Sequence, residues 1–191
     1  MSSEKQYIYG IILFYLIQRL SELFLNKTNE RYLIENFDAV EIDPTDSLRM
    51  KIFHSLWFIA LISESLWHGK LVNNELSMIS FVILIIAMLI RFHTISLLKE
   101  FWTIKVYSLS PRPFVKDGLY KILRHPNYLA VILELIFIPV LLGCTYTAVI
   151  FTIGNIWVLR KRIQLEESEL TTNPDYSLAM KHTKKLIPFI Y

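Results

Sequence analysis

Long apolar stretches recur along the chain and are separated by polar connections. Each stretch approaches the roughly 20 mainly apolar residues that a helix needs to cross a bilayer core. Because lipid cannot satisfy an open backbone, such stretches are expected to be helical. The pattern predicts an all-α polytopic membrane protein of one domain, residues 1–191, with about five transmembrane helices at residues 7–25, 50–67, 76–98, 127–142 and 145–163.

The last two predicted helices are separated only by a short turn at Gly143 and Cys144. They are therefore expected to form a C-terminal helical hairpin, whose two far ends lie close together on one side of the membrane. Residues 164–191 would follow as a tail on that same side.

Composition agrees with a membrane setting. The mean hydropathy of +0.40 and the 53% hydrophobic residues are too apolar for an ordinary soluble domain. The single cysteine, Cys144, excludes an internal disulfide and a cysteine-rich metal site. We expect no metal site and no nucleic-acid partner, and the oligomeric state is not predicted.

The positive charges are distributed unevenly along the chain. If the N-terminus lies outside, 16 of the 20 Lys and Arg residues fall in cytosolic segments. The positive-inside rule favours that orientation. The two long connections and the C-terminal tail are then cytosolic, and because connections commonly carry function, the working face is expected to be cytosolic.

Ionisable residues inside the predicted helices are candidate functional groups, because burying them in lipid is costly. Arg19 and Glu22 are three residues apart and could pair with each other or bind a ligand. Arg91 could extend its side chain to the headgroups. Glu134 lies in the inner half of the fourth helix, and His54 is a packing or interfacial residue more readily than a ligand.

The segment 118–128 runs from a polar connection into the fourth predicted helix. Pro126 suits a first helical position, and the free N–H groups after it would create a positive helix end. Arg124 and His125 stand beside that end. The segment indicates either an anion-recognition site or a plain interfacial boundary.

The fifth predicted helix ends on the same side with the carboxylates Glu166 and Glu167. Neighbours on a helix point in different directions, so at most one is expected to face His125 while the other pairs with a base nearby. The pair indicates either an acceptor for a cation with hydroxyl groups or a charged helix end. Together the two ends would suit an amino-acid-bearing nucleotide such as S-adenosylmethionine.

These motifs resemble the isoprenylcysteine carboxyl methyltransferase family, small membrane enzymes that use S-adenosylmethionine. The resemblance lies in Gly118-x-Tyr120, in Arg124-His125-Pro126-x-Tyr128 and in Arg162-Ile163-x-x-Glu166-Glu167. Further matches resemble a prokaryotic branch that includes alkylpyrone and alkylresorcinol O-methyltransferases: Trp102-Thr103, Asn29-Glu30-Arg31 and Ala39-Val40-Glu41.

The resemblance implies a cytosolic cofactor pocket, with Arg162 facing the reacting side. The residues that it assigns to cofactor binding are Tyr120, Arg124, His125, Tyr128, Glu166 and Glu167. The family's usual Phe-Gly-x-x-Tyr tail is replaced here by residues 173–176. A phenol or enol acceptor would benefit from a base, for which Glu134 or a histidine could serve.

The expected function is S-adenosylmethionine-dependent O-methylation of a lipophilic small molecule or prenylated acceptor, in contact with membrane lipids. A phospholipid amine N-methyltransferase would share the cofactor and the setting. A transporter or non-catalytic scaffold, with the buried charges lining a conduit, is the alternative from another class. The sequence has no internal inverted repeat, which argues against a transporter.

Overall fold

The computed structural model describes residues 3–68, 70–71, 75–109 and 113–186, so residues 187–191 of the predicted tail lie outside it. Each of the five predicted apolar stretches corresponds to a helix, although the fourth helix ends one residue earlier than predicted, at Leu141. The α-helices and strands are α1 (Ser3–Phe37), β1 (Val40–Glu41), α2 (Pro44–Trp67), α3 (Glu75–Leu98), β2 (Tyr107–Ser108), α4 (Pro126–Leu141), α5 (Thr145–Leu170) and α6 (Pro174–Ala179). The antiparallel pairing of β1 with β2, which links the two long connections, was not predicted.

The helices α4 and α5 form the predicted hairpin. Gly143 turns the chain between them with a φ of +69°, a conformation that favours glycine. A Cβ at this position would lie 2.7 Å from the carbonyl oxygen of Lys70, so the turn also needs glycine for space. We call the end of the bundle that carries Gly143 the turn end, and the opposite end, which carries His125, the motif end.

The helix α1 continues well beyond the predicted end at residue 25 and reaches Phe37. Its buried side chains recur at intervals of three, four or seven positions, which is the spacing of one inward helix face. Near the turn end this face is apolar, and toward the motif end it becomes mostly polar. Its buried members are Ile8, Ile12, Tyr15, Glu22, Asn26, Asn29 and Leu33.

The polar part of α1 holds the connection that follows α3. The amide of Asn29 donates to the backbone carbonyls of Lys99 and Trp102, at 3.0 and 2.7 Å. The side-chain oxygen of Asn26 accepts from the backbone N–H of Ile104 at 2.6 Å. These bonds fix the connection against α1 at the motif end.

Local sequence signals explain where α2 begins. The Asp43 side chain accepts hydrogen bonds from the backbone N–H groups of Thr45 and Asp46, and Pro44 takes the first helical position. One face of the helix then points inward, with Met50, Trp57 and Leu61 buried. The last two join the apolar core at the turn end.

The end of α2 supports the start of α5. The Glu64 carboxylate accepts from the backbone N–H groups of Tyr146 and Thr147, at 3.0 and 2.7 Å, and from the Thr147 hydroxyl at 2.6 Å. The first N–H groups of a helix have no partner within the helix, and a negative charge there is favourable. Glu64 therefore caps a helix from a neighbouring one.

The bundle has apolar outward faces and a partly charged interior, the reverse of a soluble protein. By length and composition, Lys5–Phe37 and Glu75–Phe101 could each cross a membrane, and Pro126–Leu141 is a shorter apolar helix. The apolar parts of α2 and α5 run directly into charged residues, so the count of five spans stays a prediction. Large exposed apolar side chains include Phe14, Phe24, Ile59, Met78, Phe81, Ile150 and Trp157.

Candidate functional site

His125 occupies the N-cap of α4 and lies between two carboxylates of α5. Its Nε2 is 2.9 Å from Glu167 Oε1, and its Nδ1 is 3.3 Å from Glu166 Oε2. The prediction that at most one of these carboxylates faces His125 was wrong. The two ring nitrogens point in different directions, so one imidazole reaches both neighbours on the helix.

The charged forms of His125, Glu166 and Glu167 stabilise one another. Burial by itself would lower the pKa of His125, but the carboxylates of Glu166 and Glu167 raise it to about 9. Burial would raise the pKa of each carboxyl group, but the neighbouring His125 holds both at about 2. His125 is therefore an imidazolium between two ionised carboxylates at neutral pH.

Glu167 has two further partners, which tie it to the tail. Arg124 Nη1 donates to Glu167 Oε2 at 2.8 Å, and the Tyr176 hydroxyl donates to Oε1 at 2.7 Å. Arg124 also donates to the backbone carbonyls of Thr183 and Met180, at 2.9 and 2.7 Å. The tail thus packs on the Arg-His-Pro motif and takes part in forming the site.

The contribution of Tyr176 was not predicted from the sequence. A local signal existed for its helix: the Asn173 side chain caps α6 by accepting from the Asp175 backbone N–H at 2.9 Å, and Pro174 follows at the first position. That signal predicts a helix start but not where the helix packs. Only the fold brings Tyr176 to Glu167.

Arg162 is buried and held from three sides. Its Nη1 donates to Asp46 Oδ2 at 2.9 Å, its Nε to the Tyr128 hydroxyl at 3.2 Å, and its Nη2 to the carbonyl of Ile104. These contacts join α5 to α2, to α4 and to the connection after α3. Asp46 was also missed by the sequence analysis, although the Asp43-Pro44 helix start places it in the first turn of α2.

A cavity of about 520 Å³ lies inside the bundle and is lined by residues of α1 to α5, by Tyr176 of α6 and by residues of the connections. Glu167 and Glu134 are absent from its described lining, so Glu166 is the member of the carboxylate pair that faces the cavity. The predicted site residues that line it are Tyr120, Arg124, His125, Tyr128, Arg162 and Glu166.

Two buried polar atoms in residues that line this cavity have no hydrogen-bond partner among the described residues: Trp102 Nε1 and Glu166 Oε2. The contact of the latter oxygen with His125 is an ion pair without hydrogen-bond geometry. Leaving a buried polar atom unpaired is costly, and such atoms are usually satisfied. Trp102 Nε1 is thus a donor available to a ligand, and Glu166 Oε2 can accept a further hydrogen bond beside its ion pair with His125.

Glu134 lies in a second charged cluster, deeper along α4, and is 1% exposed. Arg91 donates to its two oxygens at 3.0 and 2.5 Å, and Arg19 Nη2 lies 2.5 Å from one of them. Of the two roles left open for Arg19 and Glu22, the structure shows the pairing of these side chains with each other, at 2.7 Å. The expectation that Arg91 extends to the headgroups was wrong, because its guanidinium turns inward to these carboxylates and is 2% exposed.

This geometry does not suit Glu134 as a base. Both of its oxygens are occupied by guanidinium groups, and the carboxylate is outside the described cavity lining. Its position suits holding Arg19 and Arg91, which do line the cavity.

The cavity also reaches the apolar surface of the bundle between α1 and α2. Leu20 and Leu23 of α1 and Ile59 of α2 line it, yet they are 56%, 45% and 59% exposed. One cavity therefore connects the charged cluster at the motif end with an apolar opening on the side of the bundle.

Known proteins resemble this chain over most of its length. The uncharacterised protein YpbQ of Bacillus subtilis is 31% identical to this chain over 160 residues. An uncharacterised protein of Haemophilus influenzae is 33% identical over 154 residues. The matches cover 84% and 80% of this chain, and 94% and 88% of the relatives.

A solved structure has a similar fold. The eukaryotic intramembrane Ras methyltransferase, isoprenylcysteine carboxyl methyltransferase, matches with a TM-score of 0.60 and 21% identity. The match covers 78% of this chain and 55% of the longer enzyme. The profile of the isoprenylcysteine carboxyl methyltransferase family matches residues 78–172. The placement in an alkylpyrone-methylating branch stays a prediction, but the chain belongs to the isoprenylcysteine carboxyl methyltransferase family.

Proposed function

We propose that the protein is an integral membrane methyltransferase that uses S-adenosylmethionine and methylates an oxygen atom of a lipophilic acceptor. The observation that carries this proposal is the cavity of about 520 Å³, which has a charged end at His125 and Glu166 and an apolar opening between α1 and α2. Family membership supports methyl transfer, and the two unlike ends support a polar cofactor with a lipophilic acceptor.

The residues at the charged end fit the cofactor. The cavity volume lies in the range of about 300–1,000 Å³ that is usual for small-molecule sites. Glu166 Oε2 would accept from an ammonium or ribose hydroxyl, and Trp102 Nε1 would donate to a carboxylate or base nitrogen. The rings of Tyr120 and Tyr128 line the same space, and adenine would pack against Tyr120 or against the face of Tyr128 that is not stacked on His125.

The bound cofactor would supply a methyl group on a sulfonium, which an oxygen nucleophile can take directly. The protein then has to align the acceptor and exclude water, and such alignment can supply about 7–11 kcal/mol of the barrier. Arg162, held by Asp46 and Tyr128, is assigned to orient groups in the cavity.

Glu167 and Arg124 are assigned as positioning residues. Glu167 binds His125, Arg124 and Tyr176, so it holds the charged end together without lining the cavity. Glu134 does the same for Arg19 and Arg91 at the deeper end.

The proposed orientation places the N-terminus outside, and the motif end with its connections and tail in the cytosol. The cofactor would enter at the motif end, and the acceptor would enter from the bilayer between α1 and α2. Leu20 and Ile59, exposed at that opening, would contact lipid.

Calorimetry of S-adenosylmethionine binding to the detergent-purified protein tests the cofactor assignment. Glu166→Gln removes a charged acceptor worth about 1.5–3 kcal/mol, so affinity is expected to fall roughly ten- to hundredfold. Glu169→Gln is the matched control, because it makes the same change on the same helix outside the described cavity lining. Its affinity should equal that of the wild type.

Two results would contradict the proposal. If folded wild-type protein binds no S-adenosylmethionine, the cofactor assignment is wrong, and a transporter or scaffold is favoured. Incubation with membrane lipids and methyl-labelled cofactor identifies the product. A label on nitrogen would replace oxygen methylation with the phospholipid amine N-methyltransferase alternative.

A further inference from the structure

We infer that His54 is the catalytic base of this site, and that its Nε2 accepts the proton of a hydroxyl group on the methyl acceptor. The inference rests on the proposed methyl transfer and narrows it to acceptors that must lose a proton, such as phenols and enols. A carboxylate acceptor is already ionised at neutral pH and needs no base.

The contact of His54 with its own helix determines which ring nitrogen is free. Nδ1 lies 2.8 Å from the backbone carbonyl of Met50, one turn earlier in α2. A carbonyl oxygen only accepts hydrogen bonds, so Nδ1 carries a proton. The neutral imidazole then has a lone pair on Nε2, for which the described residues provide no hydrogen-bond partner. Both His54 and Met50 line the cavity.

Among the other candidate bases in the described part of the cavity, Glu166 is assigned to the cofactor at the charged end, and the rest are engaged by charged partners. Glu22 accepts from Arg19 at 2.7 Å and from Arg91 at 3.4 Å. His125 has a carboxylate at each ring nitrogen. Glu134 is paired with Arg19 and Arg91 and lies outside the cavity lining. The Nε2 lone pair of His54 is therefore the one available to an acceptor away from the charged end, among the described residues.

His54 also lies at a suitable depth. It follows Asp46, the partner of Arg162, by eight residues on the same helix, or about 12 Å at 1.5 Å per residue. This places His54 beyond the charged motif end, and it lines the same cavity as Leu20 and Ile59, the residues at the opening through which a lipophilic acceptor would enter.

Charged groups from several helices surround this position. Arg19 of α1, Arg91 of α3 and Glu134 of α4 all interact electrostatically with His54, while Arg162 of α5 lines the same cavity. The Arg19 side chain is 21% exposed and faces the cavity, so its guanidinium can stabilise negative charge as it develops on the acceptor oxygen.

The step is balanced as a proton transfer coupled to methyl transfer. The hydroxyl proton moves to His54 Nε2, and the oxygen uses its electron pair to form the bond to the methyl carbon. The carbon–sulfur bond breaks, and its electron pair stays on the sulfur as a thioether. The imidazolium of His54 then releases its proton to solvent.

Two lipophilic phenols of different acidity test the role of His54 in detergent-purified protein. With dodecylphenol, His54→Gln is expected to lower kcat by about hundredfold or more, the usual contribution of a general base. With dodecylnitrophenol, which is largely ionised at the assay pH, the loss should be much smaller. His68→Gln, at the exposed end of the same helix, should leave both rates unchanged.

Calorimetry of S-adenosylmethionine binding separates this inference from the proposed function. His54→Gln should bind the cofactor as the wild type does. Wild-type protein that binds no cofactor would overturn the proposed function and this inference together. If the wild-type protein binds the cofactor, three results would overturn the base role alone. These are an equal loss of kcat for both phenols in His54→Gln, no loss of kcat in His54→Gln, and no methylation of either phenol by the wild type.

Nitrogen NMR on histidine-labelled wild-type protein provides a readout that does not depend on activity. We expect His54 to show a protonated Nδ1 and a bare Nε2, whose signal shifts when dodecylphenol is added. A protonated Nε2 at neutral pH, or a signal unchanged by dodecylphenol at saturation, would overturn the inference.

Discussion

At the scale of single residues, His125 is a buried charge at the motif end that is coupled to two carboxylates. Its raised pKa of about 9 belongs to a ring between Glu166 and Glu167, with Arg124 pairing to the second of these carboxylates. A pKa that differs between the folded and unfolded states makes stability depend on pH. The direction of that dependence follows from the direction of the shift.

The raised pKa predicts that stability falls in alkaline solution. The contribution of protonated His125 is fully present below its unfolded pKa of about 6.5, and it is lost as pH rises through about 9. The thermal midpoint in detergent should therefore decrease between these pH values. His125→Gln should flatten this decrease, whereas the exposed His182→Gln should not. Equal slopes in all three proteins would contradict the prediction.

The sequence identifies most of the charged residues at the motif end, but it does not indicate which side chains they contact. Arg124, His125 and Glu166 stand in recognisable motifs, and the hairpin brings those motifs together. Asp46 and Tyr176 complete the site from α2 and α6, in segments whose sequence carries only helix-start signals. A local pattern cannot indicate a contact made by chain folding over more than a hundred residues, such as that of Asp46 with Arg162.

At the scale of helices, the capping of α5 by Glu64 joins two elements through one carboxylate. The apolar stretches predict both helices, but no local pattern indicates this contact. The predicted end of α1 at residue 25 was too early, because the inward face continues through Asn26 and Asn29 to Leu33. A helix whose buried face is polar has no hydrophobic period by which to follow it.

Removal of the cap is expected to destabilise the hairpin. Glu64→Ala leaves the N–H groups of Tyr146 and Thr147 without their acceptor, at a cost of about 1–3 kcal/mol. Glu64→Gln retains one carbonyl acceptor and should cost less. Thermal unfolding in detergent measures both, with the exposed Glu35→Ala as control. Alanine and glutamine variants as stable as that control would show that the cap contributes nothing.

At the scale of the whole molecule, the buried ion pairs hold three helices together. Arg19 and Glu22 come from α1, Arg91 from α3 and Glu134 from α4. These residues are up to 115 positions apart, so the sequence could identify them as costly charges in apolar stretches without indicating their partners. The cluster balances two positive and two negative charges.

Removal of one charged partner from this cluster is expected to lower the free energy of unfolding by more than the intact ion pair contributes to it. Arg91→Leu leaves buried carboxylate charge undercompensated, and removal of one partner of a buried pair costs about 3–5 kcal/mol. The double variant Arg91→Leu/Glu134→Leu should lose less than the sum of its single variants. Lys121→Leu, from an exposed pair with Asp117, should change stability by at most about 1 kcal/mol.

A double-mutant cycle in thermal unfolding measures the coupling between Arg91 and Glu134. Strict additivity of the two single variants would show that the two side chains do not stabilise each other. A positive coupling would identify the cluster as a structural link between α3 and α4.

The uninterrupted length of α1 has a consequence for the surrounding lipid. Its 35 residues span about 52 Å at 1.5 Å per residue, well over the roughly 30 Å of a bilayer core. A change in acyl-chain length alters the tilt of such a helix. Because α1 has no break between its lipid-facing part and Asn29, that tilt would be transmitted to Arg19 and to the connection held at Trp102. In the proposed orientation, membrane thickness would therefore affect the shape of the cavity.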